Sequence, residues 1–376
     1  MVTIGIPKER DKNERRVPVI PSTVHELVER GMTVYVEKGA GIDAGFTDEA
    51  YKEAGASICF TEDCVYSRAD FVIKISPPTE RDVANMRDGL TLGSFGPWIF
   101  TPQKVREMLR EKGVSVFAFE SITNREGTFP LLQATSVVCG RLVPLIAAHH
   151  SMTGSGGKGI LLTSLPGIPS PDVVIVGGGI VGRNAARQFL ALGCAVIVLD
   201  TSRAALERID EMFHGRVETL LGTPANLSKV MKFADVLVCC AMIPNSPAPR
   251  IISREMVKRM KPRSLVIDVS IDHGGMCETS RPTTLEFPTF VAEDVVHYCV
   301  PNNASMVART ASVYLDNTLH RYLLGINQEG VEPYITGHKG LAGGIVFYKG
   351  ELVNERVAKS LDSEFTPLND LLKGDN

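Results

Sequence analysis

The sequence has no long apolar run, no block of one charge and no CxxC cysteine pair, and each absence excludes something. No stretch approaches the roughly 20 consecutive apolar residues that span a bilayer. The strongest runs, 173–176 and 236–242, have strand length and end near Gly or Pro. Met1 is not followed by a basic segment and then an apolar one, so no secretory signal is expected. Basic and acidic residues number 40 and 43, for a net charge of −3. Neither sign is clustered, which argues against a nucleic-acid partner and against an acidic disordered tail. The eight cysteines, at 59, 64, 139, 194, 239, 240, 277 and 299, form no CxxC motif. Several fall in apolar patterns and read as buried small hydrophobes, which makes a reducing cytoplasmic location the expectation.

What is present is ordinary globular composition, with 44% hydrophobic and 22% charged residues over 376 positions. That length suggests two or three domains. Short apolar segments at Thr3–Pro7, Thr33–Glu37, Phe71–Ile75, Leu90–Phe95 and Val114–Phe119 read as strands. Helical spacing separates them at Ser22–Arg30 (with Ser22 or Thr23 as cap), Ala50–Ala54 and Pro102–Lys112. Alternation of this kind predicts a parallel α/β domain. A long helical pattern follows at about 131–152, then a Gly/Ser-rich loop and a proline-rich connector ending at Pro171. A second α/β series begins at Val173, with strands expected at 173–176, 195–200, 236–241, 265–268 and 290–291. A last helix is expected at about 310–324, returning to the first domain, and the tail after Phe365 reads as frayed.

The strand Val173–Val176 runs directly into Gly177-Gly178-Gly179-Ile180-Val181-Gly182. This places G-x-G-x-x-G between a strand and a helix. Gly177 permits the tight turn, Gly179 the approach of a pyrophosphate, and Gly182 close packing of helix on strand. The helix start offers free N–H groups to phosphate. The next strand ends on Asp200, a carboxylate suited to the ribose hydroxyls of NAD and repulsive to the 2′-phosphate of NADP. Arg203 is the one nearby cation that could favour NADP. The cofactor expected is NAD.

With these residues in place, the chain resembles the alanine dehydrogenase and pyridine-nucleotide transhydrogenase family over about residues 2–360. The likeness rests on Ile4–Glu9 with Asn13–Val17, Glu37–Ile42, Phe46–Asp48, Gly140–Leu142, Leu165–Gly167, the glycine motif, Ile267–Gly275 and Glu278–Thr284. The length and the Ser280–Thr284 run are similar to alanine dehydrogenases. The resemblance implies an α/β fold of two Rossmann-like domains, doubly wound parallel sheets flanking a cofactor and substrate cleft. Residues 1–135 plus 310–376 would form the substrate domain and 136–309 the NAD-binding domain. It also implies a small-molecule amino acid or 2-oxo acid partner and a homo-oligomer, often a hexamer; no membrane partner is expected, because no spanning segment is seen.

Enzymes of this family move a hydride between C2 of an amino acid and C4 of nicotinamide, and the imine is hydrolysed to a 2-oxo acid and ammonium. By resemblance, Arg16 holds the substrate carboxylate and Asp272 lies beside the nicotinamide, assisting nitrogen and water chemistry. Asn302 lies near cofactor and substrate, and Ser136 contacts the cofactor. Without the resemblance, Arg16 and Arg15 read as solvated charge, and Asp272 as a turn residue capping Gly274-Gly275.

Two departures concern the substrate. The family has two lysines spaced by one residue after the third strand; Lys74 matches the first, but Ser76 stands at the second. Pro97 stands where the family has a catalytic histidine, and proline transfers no proton. Ala304 and Ala308 replace usual prolines. Lys74 could serve as a relocated carboxylate or imine partner, since positions 74 and 76 of a strand share a face. His273 or a water held by Asp272 are alternatives, and Trp98 is expected near the pocket rim. The leading reading is an NAD(H)-dependent amino-acid dehydrogenase, with alanine or another substrate. The alternatives are a soluble transhydrogenase-type subunit and a non-catalytic NAD(H)-binding relative.

Overall fold

The computed structural model describes residues 2–243 and 246–374. Two compact units emerge. Unit 1 is built from Met1–Thr135 and Ser305–Asn376, and unit 2 from Ser136–Ile243 and Pro247–Ala304.

In chain order, β1 is Thr3–Ile6, β2 Thr33–Glu37, β3 Ser57–Cys59, β4 Phe71–Ile73, β5 Thr91–Ser94 and β6 Ser115–Ala118. Then come β7 (Asp172–Val176), β8 (Ala195–Asp200), β9 (Glu218–Leu221), β10 (Val236–Cys239) and β11 (Leu265–Asp268). The last four are β12 (Thr289–Ala292), β13 (Val295–Tyr298), β14 (Ile345–Tyr348) and β15 (Glu351–Leu352).

The sheet of unit 1 has the order β15-β14-β6-β5-β4-β1-β2-β3. Its six strands from β6 to β3 are parallel, while β14 joins β6 antiparallel. The sheet of unit 2 runs β12-β13-β11-β10-β7-β8-β9, parallel except for the β12–β13 pair. Each sheet contains the 3-2-1-4-5-6 strand order of a dinucleotide-binding fold, so the expectation of two Rossmann-like domains holds. Strand order reverses at β1/β4 in unit 1 and at β7/β10 in unit 2. Ligands of open α/β sheets bind outside the carboxyl ends of strands at such points.

The strands are short and apolar because helices cover both faces, so neither face can be polar. Val173 to Val176, Val236 to Cys239 and Phe71 to Ile73 are all buried. The helix Ala308–Glu329 returns to the core of unit 1 through Leu315, Leu319, Leu323 and Ile326. Its Asp316 is buried, accepting the Ile20 N–H at 3.0 Å and the Thr23 hydroxyl at 2.7 Å. Burial pushes the Asp316 carboxyl up to about 6.

Several expectations are corrected. Thr23 does not cap its helix: the cap is Ile20, with proline opening the helix Pro21–Glu29, and Thr23 turns to Asp316 instead. The helix Pro130–His150 is, by length and composition, apolar enough to cross a membrane, contrary to the reading that no segment approaches this. Half of it is buried, with Leu131, Val143 and Ala147 fully enclosed, as in a core helix. Cys59 and Cys64 form a disulfide joining β3 to the helix Glu62–Arg68, with Cα atoms 5.8 Å apart. A strand-to-helix turn brings residues five apart within disulfide reach, a pairing that cysteine spacing alone did not suggest. The tail contains the helix Leu368–Gly374 rather than a frayed end. Trp98 is fully buried in a core cluster, not at a rim.

Asp316→Ala leaves two buried donors without their acceptor, so urea unfolding is expected to show a loss of about 1–3 kcal/mol. Asp316→Asn, which retains one acceptor, should lose less.

Candidate functional site

In unit 2, the strand–glycine–helix segment opens at the reversal point of the sheet. Gly177 has φ of +115°, and a Cβ there would lie 2.7 Å from the Ala241 amide at the end of β10. A Cβ on Gly182 would lie 1.9 Å from the Gly177 carbonyl. No side chain fits between helix and loop, which explains two of the three motif glycines sterically. Gly179 is exposed and a Cβ there would meet nothing within 4 Å, so its backbone is the part open to a ligand. It also starts the helix Ile180–Leu192 without a side-chain cap. The first N–H groups of that helix, from Ile180 and Val181 onward, have no carbonyl partner within the helix.

Asp200 ends β8 beside this loop. One carboxylate oxygen accepts the Gly178 N–H at 2.6 Å and the other the Ser202 N–H at 2.7 Å. Each oxygen keeps a second lone pair for a hydroxyl. Arg203 pairs with Glu207, four residues along its own helix. Ser136 lies one turn before Gly140, where the helix Pro130–His150 packs on the glycine-loop helix; a Cβ on Gly140 would stand 2.5 Å from the Val181 carbonyl. The uncapped helix start, open Gly179 backbone and Asp200 carboxylate fit a dinucleotide: amides for the pyrophosphate, an acceptor for the ribose.

Asp272 sits in the one-turn helix Val269–His273 that follows β11. Asp268 ties this loop down, accepting the Met276 N–H at 2.8 Å, and Ser270 donates to the Ala241 carbonyl at 2.9 Å. Gly274 and Gly275 hydrogen-bond through their amides to backbone carbonyls of Ile271 and Ser270. Asp272 is therefore not their cap; its carboxylate accepts the Asn302 N–H at 3.1 Å, with Asn302 in the left-handed region at φ of +53°. His273 is partly buried, and desolvation lowers its pKa. His150 is packed against Tyr298 with burial holding it at about 4, a core histidine.

In unit 1, the reversal point carries a buried ionic cluster. Lys74, just past β4, is 2% exposed. Its Nζ donates to Asp82 at 2.9 Å and lies 3.8 Å from Glu9. Tyr66 donates a 2.5 Å hydrogen bond to the same Asp82 oxygen. Glu9, after β1, also accepts the Ile75 N–H at 2.6 Å. Burial opposes the charge on Lys74, but Glu9 and Asp82 outweigh it and hold the ammonium above its ordinary pKa. Burial also raises Glu9, more than Lys74 lowers it. Lys74 is thus a fixed cation committed to its own domain.

Arg16 is buried, not a solvated charge, whereas Arg15 is exposed. Glu14, also buried, accepts from the Arg16 Nε at 2.8 Å and from an Nη at 2.6 Å. The strand-like stretch around them is strapped to the returning helix region: Ser305 accepts the Arg15 N–H and Ser312 the Val17 N–H. The sequence reading found Arg16 and Lys74 but none of their carboxylate partners.

It also missed Glu120, which follows β6 at the carboxyl edge of the same sheet. Both carboxylate oxygens are buried, and no side chain donates to either. Burial pushes this carboxyl up to about 8, opposed only by its own amide and that of Gly96. A carboxylate directly after a predicted parallel strand was the available signal. Ser76, Ser94 and the Trp98 indole also bury polar atoms without a partner.

Profiles of the Alanine dehydrogenase/PNT N-terminal and C-terminal domains match residues 5–139 and 143–355. An alanine dehydrogenase of Mycolicibacterium smegmatis is 36% identical over 363 residues, covering 96% of this chain and 98% of its own. A solved L-alanine dehydrogenase superposes with a TM-score of 0.88 at 32% identity, over 96% of this chain and 99% of its own. A transhydrogenase from Sinorhizobium meliloti shares the fold, with a TM-score of 0.78 at 22% identity over 94% and 99%.

Lys74→Met leaves Asp82 and Glu9 buried without their cation. Chemical denaturation is expected to show a loss of about 3–5 kcal/mol. Adding Asp82→Asn should recover part of it, whereas a merely steric role for Lys74 predicts no recovery.

Proposed function

The chain belongs to the alanine dehydrogenase/PNT family, and from that premise we propose that it is an NAD(H)-dependent oxidoreductase acting on a CH–NH2 group. Its reaction is the oxidative deamination of an L-amino acid and, in reverse, the reductive amination of a 2-oxo acid. The observation that carries the reading is the glycine loop at the β7/β10 reversal point, with Asp200 closing the next strand. Asp200 favours NAD over NADP, and Arg203 does not oppose it because Glu207 engages it.

The roles follow from chemistry. NAD(H), when bound, takes or supplies the hydride at the substrate α-carbon. In unit 2, the Gly179, Ile180, Val181 and Gly182 backbone and Ser136 hold it, on a loop that Gly177 and Gly182 keep tight. Asp272, anchored by Asn302 and by the Asp268 loop, orients the substrate nitrogen or a water and holds a proton there. In unit 1, Arg16 binds the substrate carboxylate, a bidentate task suited to a guanidinium that Glu14 already orients. Lys74 contributes a fixed positive charge; its ion pairs favour this over a proton-carrying role. Alanine is the first substrate to test, because relatives bear that name. Ser76 and Pro97, which stand where the family has a lysine and a histidine, favour a test of bulkier oxo acids beside it.

A second reading, NAD(H) binding without this turnover, as in a transhydrogenase-type subunit or a non-catalytic relative, is favoured by Pro97, which has no proton to transfer. One experiment separates the two. Purified protein with NADH, ammonium and a panel of 2-oxo acids is followed at 340 nm between about pH 7 and 10. Oxo-acid-dependent oxidation supports the dehydrogenase; NADH binding with no oxidation supports the second reading. Asp272→Asn is expected to lower kcat by about 10²–10⁴-fold while NADH binding persists. Gly182→Ala, by forcing its Cβ onto the Gly177 carbonyl, should weaken NADH binding itself.

A further inference from the structure

Unit 1 poses a chemical problem. Amination of an oxo acid needs a group that gives up a proton near neutral pH, and most charged groups at the carboxyl edge of this sheet are already committed. Lys74 is held by Asp82 and Glu9. Arg16 is held by Glu14. Asp82 carries Lys74 and Tyr66. Glu9 accepts the backbone amides of Ile75 and Ser76. Glu120 alone in this group has two buried oxygens that no side chain engages.

Its position suits the task. The strands that end here lie in the order β6-β5-β4-β1, so the end of β6 is about 10 Å from the end of β4 at ordinary strand spacing. The segment after β5 fills that interval. A Cβ on Gly96 would lie 2.9 Å from Pro77, so the Ser76–Pro77 and Gly96–Trp98 turns touch. On its other side Gly96 turns its amide to the Glu120 carboxyl, which it and the Glu120 amide pull slightly down against burial. Gly96 thus has the Ser76–Pro77 turn on one side and the Glu120 carboxyl on the other, and Pro97 is its neighbour in the chain. The unpartnered Ser76, Ser94 and Trp98 polar atoms surround the same edge.

We propose that Glu120 is the catalytic proton donor to the substrate oxygen in amination, and the proton acceptor from water in deamination. The proposal rests on the dehydrogenase reading above. In the amination direction, ammonia adds to the oxo carbon to give a carbinolamine. The nitrogen lone pair then forms the C=N bond, the C–O bond breaks, and the Glu120 proton passes to the departing oxygen, which leaves as water. The resulting carboxylate regains a proton from solvent. In reverse, the carboxylate takes a proton from the water that adds to the iminium carbon.

The electrostatics agree. A carboxyl held at about 8 is a neutral acid at pH 7 and becomes a base just above it. No charged side chain contributes to that value: not Glu9 or Lys74 at the neighbouring strand ends, nor Lys339 in the segment whose Gly340 and Gly344 carbonyls bind the Thr123 and Ala118 amides. Burial alone raises it, so substrate binding, by excluding further water, does not undo the arrangement.

The test uses the full-length protein with pyruvate, saturating ammonium and NADH, and in reverse L-alanine and NAD. Wild-type kcat for amination is expected to fall as pH rises through about 8, and kcat for deamination to rise over the same range. Glu120→Gln should lower kcat about 10²–10⁴-fold, abolish that pH dependence and leave NADH affinity unchanged. Glu120→Asp should keep part of the rate. An infrared carboxylic-acid band that titrates near the same pH and vanishes in Glu120→Gln would support the assignment without turnover. Turnover in Glu120→Gln within threefold of wild type overturns the proposal and leaves the dehydrogenase reading standing. Absence of wild-type turnover on every oxo acid overturns both. If Glu120→Gln does not fold, a wild-type kcat flat from pH 7 to 9 overturns the proposal.

Discussion

An ammonium can stay charged inside a protein only when carboxylates repay its lost hydration, and unit 1 is arranged around that constraint. Lys74 is buried where the strand order reverses, at the point an open α/β sheet offers to a ligand. Asp82 sits directly on it, while Glu9 approaches from the end of β1. Tyr66 occupies the Asp82 oxygen as well, so the carboxylate cannot swing away. The turn after β4 and the turn after β1 are thereby fixed to each other, because Glu9 also holds the amides of Ile75 and Ser76. The strand ends that border the candidate site are rigid for an electrostatic reason rather than an apolar one.

Unit 2 solves its positioning problem by contact distance instead of charge. The glycine loop is tight because any side chain at Gly182 would overlap the Gly177 carbonyl. The polar work is done by backbone amides at an uncapped helix start and by one carboxylate, Asp200. Two sheets with the same strand order thus carry different chemistry at equivalent edges. One offers amides and an acceptor for a ribose. The other offers fixed cations, Arg16 and Lys74, and one uncommitted acid, Glu120.

That contrast bears on the substitutions that set this chain apart. By the resemblance read from the sequence, Ser76 and Pro97 stand at the edge of unit 1 in place of a lysine and a histidine. The edge does not become apolar as a result. It keeps buried hydroxyls and an indole N–H without partners, and the Glu120 carboxyl, which no side chain engages. Buried polar groups are ordinarily paired, so a cluster of exceptions at a strand edge marks a place built for something polar to enter.

The sequence by itself determined most of the strands, the family and the dinucleotide loop. Those rest on local patterns: apolar runs of strand length, glycines at set offsets, a carboxylate closing the second strand. Apolar periodicity also found most strands of unit 1, though not β3, β14 or β15, which are two to four residues long. Only the tertiary structure decided what each charge does. Arg16 and Arg15 are adjacent, yet one is buried on Glu14 and the other exposed. The Asn302 amide meets the Asp272 carboxylate from 30 residues away, and Glu9 reaches Ile75 across 66. Glu120 reads as a strand-end acid until β5 and β6 are paired, when Gly96 and the turn bearing Pro97 come alongside it. Hydropathy encodes which face of a strand is inside, but not which strand end lies beside which, and the chemistry of this fold is written at those ends.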